Sequence, residues 1–159
     1  MATQRLNKHL NFQPLTPNLQ PTMILFQTET KFTLKNKRAY KVWIKQIAQH
    51  ESRRVGDINY IFCDDDYLIE INRQYLDHDT YTDIITFDYG EGDTIHGDIF
   101  ISVERVAENA KEFSTTFSEE FLRVMAHGIL HLCGYKDKTK AEEKVMRRKE
   151  EEAMGVFQW

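Results

Sequence analysis

An α/β (α+β) fold, a small mixed β-sheet of about four strands packed with about five helices, is predicted by three observations. Short β-branched and aromatic runs alternate with helical periodicity through the first two thirds of the chain. Only helical periodicity follows, and one late helix is apolar on nearly every side. A chain of 159 residues forms one domain that buries about two thirds of its unfolded surface, so it needs no disulfides to fold.

Residues 1–22 hold Pro14, Pro17 and Pro21, all the prolines of the protein, among Asn, Gln and Thr with no apolar period. They are expected to be a disordered extension, with one domain over 23–159. Met23 opens the β-rich run MILFQT and is a candidate start of the folded part. From Lys35 to His50, Ala39, Val42, Trp43, Ile47 and Ala48 recur at helical spacing between lysines. Asp57 to Cys63 is a strand, and Asp64 to Tyr75 a helix whose start Asp64, Asp65 and Asp66 suit as cap and dipole partners. Asp83 to Tyr89 and Ile95 to Ser102 form a hairpin across GEGDT, and helices follow over 103–113, 116–133 and 139–154.

The formal net charge of -4 argues against a uniformly basic nucleic-acid binder, but the charge is uneven. Residues 31–54 carry eight Lys or Arg against Glu51, whereas 55–100 carry twelve acids against Arg73. Those lysines suit a solvated helix face and a nucleic-acid contact equally well. Cys63 and Cys133 stand in apolar runs, where a reduced cysteine acts as a small core residue. No stretch approaches the ~18 apolar residues of a membrane span, and the N-terminus lacks a secretory apolar core. A cytoplasmic location without a membrane partner is expected.

The segment TFSEEFLRVMAHGILHLCGYKD carries the chemistry. Thr116 and Glu119 make a capping-box pattern, and Gly134 suits the left-handed position after a helix end. Between them the helix is apolar enough to run through the core, so His127 and His131 call for partners. Four residues apart, they share one face with Cβ atoms about 5–6 Å apart and can reach one ion. The turn at Gly134 lets Asp137 fold back as a third ligand, and three protein ligands with an open position suit a catalytic zinc site. A zinc peptidase would place its glutamate base beside the first histidine, where this chain has Gly128.

HGILHLCGY closely resembles the H-G-x-L-H-L-x-G-Y signature of the bacterial YbeY family, metal-dependent endoribonucleases of ribosomal RNA maturation and ribosome quality control. INRQYLDHDTYTDIITFD and GDIFIS resemble two further motifs of that family, in its order, so the resemblance spans roughly Ile58 to Met154. It implies one Zn2+ per chain with His127 and His131 as ligands, a cytoplasmic enzyme and single-stranded RNA as substrate. In particular it implies the 3′ end of small-subunit ribosomal RNA, with small-subunit proteins as partners and no DNA. Asp137 replaces the family's third histidine, and two histidines with one carboxylate also suit ferrous iron. Leu76 replaces an arginine expected to contact phosphate, for which Arg73 or the basic segment 31–54 is the substitute, and Tyr81 replaces a proline.

The expected catalytic set is His127, His131 and Asp98, with Asp98 as general base beside the metal. Asp83 is the alternative, and either carboxylate can instead orient a ligating histidine. His78 and His96 stand in polar, loop-like stretches and are not expected to be ligands. Two competing functions are a metallopeptidase, opposed by Gly128, and a non-enzymatic ribosome-assembly factor with a structural zinc, for which Leu76 argues.

Overall fold

The β-branched and aromatic runs pair into one mixed sheet. The computed structural model describes residues 2–5 and 22–159. Its strands are β1 (Ala2–Arg5), β2 (Ile24–Thr28), β3 (Arg54–Cys63), β4 (Ile84–Asp88) and β5 (Thr94–Ser102), in the order β1-β4-β5-β3-β2. β4 and β5 are antiparallel, as a hairpin requires, while the β1–β4, β5–β3 and β3–β2 pairs are parallel. β3 begins earlier than expected because its register shifts between Val55 and Ile58, a bulge that lets the strand continue back to Arg54.

The sheet has one strand more than the four expected. Ala2–Arg5 pairs in parallel with Ile85–Asp88 as an edge strand. Its pairing uses backbone groups offered by the open edge of β4, which no apolar period announces. Residue 1 and residues 6–21, the rest of the expected extension apart from Thr22, lie outside the described residues.

The described residues form five helices, α1 (Lys37–His50), α2 (Asp65–Leu76), α3 (Val103–Glu112), α4 (Phe117–Leu132) and α5 (Lys140–Gly155), the last of which packs on α4. Asp64 caps α2, accepting from the Tyr67 backbone N–H at 2.8 Å. Asp65 instead accepts from the Arg105 guanidinium and the Ser102 hydroxyl, each at 2.7 Å, tying α2 to α3. α2 covers one sheet face, packing Leu68 and Leu76 against Cys63, Ile85 and Phe87. The other face holds the main core around α4, where Val124, Met125, Ala126 and Ile129 are fully buried.

Burial makes α4 the axis of the domain, and its ends are closed as the sequence implies. The Thr116–Glu119 capping box is formed, and the chain leaves through Gly134 at φ 105. There the Gly134 N–H donates to His131 O and the Tyr135 N–H to Leu130 O, the paired bonds of a Schellman turn. Gly128 lies against the sheet: a Cβ there would stand 2.9 Å from Ile99 Cγ2 and 3.1 Å from Ile84 Cδ1. Gly128→Ala is therefore expected to cost about 1–3 kcal/mol through overpacking, read as a lowered thermal midpoint. A midpoint equal to the parent's would contradict this packing. Among the described residues no helix is long and apolar enough to cross a membrane.

Candidate metal centre

Glu120, Arg123, His127 and His131 follow one another at spacings of three, four and four, so they form one stripe on an otherwise apolar helix. Against this stripe stand the loop after Gly134 and helix α5. His127, His131 and Asp137 come together, with one potential ligand atom from each within 4.8 Å of the others. The Oδ2 atom of Asp137 is 3.3 Å from Nε2 of His127 and 3.3 Å from Nε2 of His131. Two atoms bound to one tetrahedral ion at about 2.0–2.1 Å would lie roughly 3.3–3.4 Å apart, so the spacing fits a zinc-sized ion.

The ring orientations fit as well. His127 Nδ1 lies 2.7 Å from Glu150 Oε1, and His131 Nδ1 lies 2.8 Å from the Tyr135 carbonyl. Both partners only accept, so each ring carries its proton on Nδ1 and leaves a lone pair on Nε2. Both Nε2 atoms are buried and make no hydrogen bond. Two unsatisfied lone pairs converging on a carboxylate are costly as they stand and suited to a cation.

The charges follow the same geometry. The His127 imidazole facing Asp137 holds its carboxyl down at about 2. Burial pulls His127 down, but Asp137 and Glu150 outweigh it and raise this group above its ordinary value. Burial and the neighbouring His127 lower His131. One imidazole of the pair therefore holds its proton more tightly than the other.

Glu150 is a residue that sequence reasoning missed. It is 2% exposed on α5, between His127 and the Arg123 guanidinium, whose Nη1 lies 3.4 Å from its Oε2. Arg123 also pairs with buried Glu120. The signal was present in the spacing: Met146, Glu150 and Ala153 are the buried positions of α5 and lie four and three residues apart. The surrounding run of charged residues concealed it.

Asp98, expected as the general base, is not brought to this centre. Strand neighbours alternate in direction, and Ile99 and Gly97 face Gly128 and Leu132 of α4. Asp98 therefore points to the opposite sheet face, where the Tyr89 hydroxyl donates to it at 3.3 Å. Asp83 is buried and accepts from the Asn109 side-chain amide at 3.3 Å. Burial raises its carboxyl, with His127 and Arg123 among the groups pulling the other way. His96 Nδ1 accepts from the Asp57 N–H at 2.9 Å and His78 is exposed, and neither is part of the His127, His131 and Asp137 group.

The proposed phosphate contacts also change. Leu76 is buried in the smaller core, and Arg73 is paired with both Glu70 and Asp79. Lys41 and Lys45 lie exposed on the outer side of α1, whose buried side carries Trp43, Ile44, Ile47 and Ala48, which is the amphipathic-helix arrangement. Tyr81 is exposed with the Arg105 guanidinium 5.2 Å from its ring centre.

A family model described as Endoribonuclease YbeY matches residues 24–158. The endoribonuclease YbeY of Flavobacterium psychrophilum is 55% identical over 135 residues, covering 85% of this chain and 96% of the relative. That of Flavobacterium johnsoniae is 56% identical over 135 residues, covering 85% and 97%. Among solved structures, the solution structure of TM1509 from Thermotoga maritima is similar with a TM-score of 0.59 and 34% identity. That likeness covers 84% of this chain and 90% of the other.

Proposed function

The chain belongs to the YbeY family of endoribonucleases, and from that premise we propose that it cuts single-stranded ribosomal RNA at one zinc ion held by His127, His131 and Asp137. Hydrolytic, metal-dependent endonucleolytic cleavage of RNA comes with the family. The chain makes this cut in the cytoplasm on the 3′ end of small-subunit RNA, beside small-subunit proteins. The observation that carries the metal assignment is the pair of buried, unpartnered Nε2 atoms 3.3 Å from one carboxylate oxygen.

When bound, the ion supplies Lewis acidity, lowering the pKa of water towards ~7 and offsetting charge on the phosphoryl oxygens. The chain's own contribution is orientation. Glu150 and the Tyr135 carbonyl fix the two rings through Nδ1, and buried Arg123 balances the carboxylates behind them. Neither competing function is favoured. A glutamate in place of Gly128 would be driven into Ile99 and Ile84, so a peptidase base has no room there.

Elemental analysis of the purified protein should find zinc at about one per chain, and a chelator should stop digestion of a short single-stranded RNA. Casein should remain intact. Cleavage undiminished after metal removal would overturn the reading, and bound iron would correct the ion while leaving the site. Because His127 holds its proton more tightly than an ordinary imidazole, loading must displace that proton as pH falls below the His127 value. Affinity in chelator competition is then expected to weaken by about tenfold per pH unit in that range. Asp137 stays ionised throughout and adds nothing to the slope. A pH-independent affinity there would contradict His127 as a ligand.

A further inference from the structure

With a formal net charge of -4, the molecule as a whole repels a polyanion, so RNA needs a local basic path to the centre. His127 and Asp137 line an open groove of about 560 Å³ between α4 and α5. On its α5 side Lys140, Lys144 and Arg147 lie at i, i+4 and i+7, one stripe of the helix, and Lys138 stands in the preceding loop. All four are exposed, and Glu143 is the one exposed acid of the lining. Among the described residues Lys138, Lys140 and Lys144 make no ion pair, and Arg147 reaches only Glu150, at 3.9 Å. The stripe runs about 10 Å along the helix, enough for successive phosphates rather than one.

We propose that this stripe, Lys140, Lys144 and Arg147 with Lys138, is the tract that holds the phosphates of single-stranded RNA beside the metal centre. It takes the part that Leu76 and the already paired Arg73 do not supply. The inference rests on the reading of the chain as a ribonuclease acting at that centre. Being exposed and unpaired, the lysines are free to exchange solvent counterions for phosphate, which makes the binding salt-dependent.

The test is binding of a fluorescent, 2′-O-methylated single-stranded oligoribonucleotide by zinc-loaded protein, measured by anisotropy between about 50 and 200 mM salt. The triple variant K140Q/K144Q/R147Q is expected to bind at least about tenfold more weakly, with a log–log salt slope shallower by about 2, near 0.7 per lost contact. Zinc content and thermal midpoint should match the parent, and KM for cleavable RNA should rise with kcat retained. The triple variant K35Q/K41Q/K45Q should bind as the parent does. An unchanged slope in K140Q/K144Q/R147Q, or the loss appearing in K35Q/K41Q/K45Q instead, would overturn the proposal. A parent that binds with the steep slope yet cuts nothing would sink the ribonuclease reading alone, whereas cleavage with an unaltered slope would sink this one alone.

Discussion

His131→Ala is expected to lose bound metal and RNA cleavage together while still folding. The imidazole occupies a buried position at the end of α4, and its Nε2 has no hydrogen-bond partner to replace an ion. Removing it leaves two candidate ligands where a catalytic zinc site uses three. Cleavage should fall by roughly a thousandfold or more, about 4 kcal/mol of transition-state stabilisation. The fold should survive because the helix is held by the apolar residues on its other faces and by its capping box, none of which involves His131. Elemental analysis, circular dichroism and a single-stranded RNA digestion decide it. Parent-like cleavage by a folded, metal-free variant would remove the site assignment.

Replacing Glu150 by alanine should weaken metal binding by about 10- to 100-fold and destabilise the protein by about 3 kcal/mol. Two effects combine. The His127 Nδ1–H loses the carboxylate 2.7 Å away, so the ring is no longer held with Nε2 towards Asp137. Arg123, with a side chain only 11% exposed, keeps Glu120 but loses its second carboxylate. Glu150→Gln separates these effects, because its amide oxygen can still accept from Nδ1 but carries no charge for Arg123. Metal affinity should recover in part while stability stays low. Chelator competition and urea denaturation measure the two, and unchanged affinity in the alanine variant would show that Glu150 does not orient His127.

The pattern of elements was legible because it is written in local periodicity. Helix α4, its capping box and the turn at Gly134 depend on residues within a few positions of one another, and the structure has each of them. The pairing of His127 with His131 is equally local, since one helical turn joins them whatever the rest of the chain does. Asp137 could be anticipated for the same reason, because only a short turn separates it from the helix.

Asp98 shows where that reasoning stops. The alternation of GDIFIS could be read, but not which face of the strand would receive α4, and Asp98 falls on the face away from it. Leu76 and Arg73 were judged by aligned position, whereas packing buries the first and two acids engage the second. β1 left no apolar signal because its pairing is between backbones.

Local patterning along the chain was enough to read the fold class, the helix that carries His127 and His131, the candidate ligand Asp137 and the family. What surrounds them came from packing between distant elements: Glu150 behind His127, Arg123 between two buried acids, and a basic stripe of α5 beside the centre. The difference is one of range. Helix periodicity and caps act over a single turn, whereas which faces meet depends on how α4 and α5 pack, a contact between residues more than twenty positions apart.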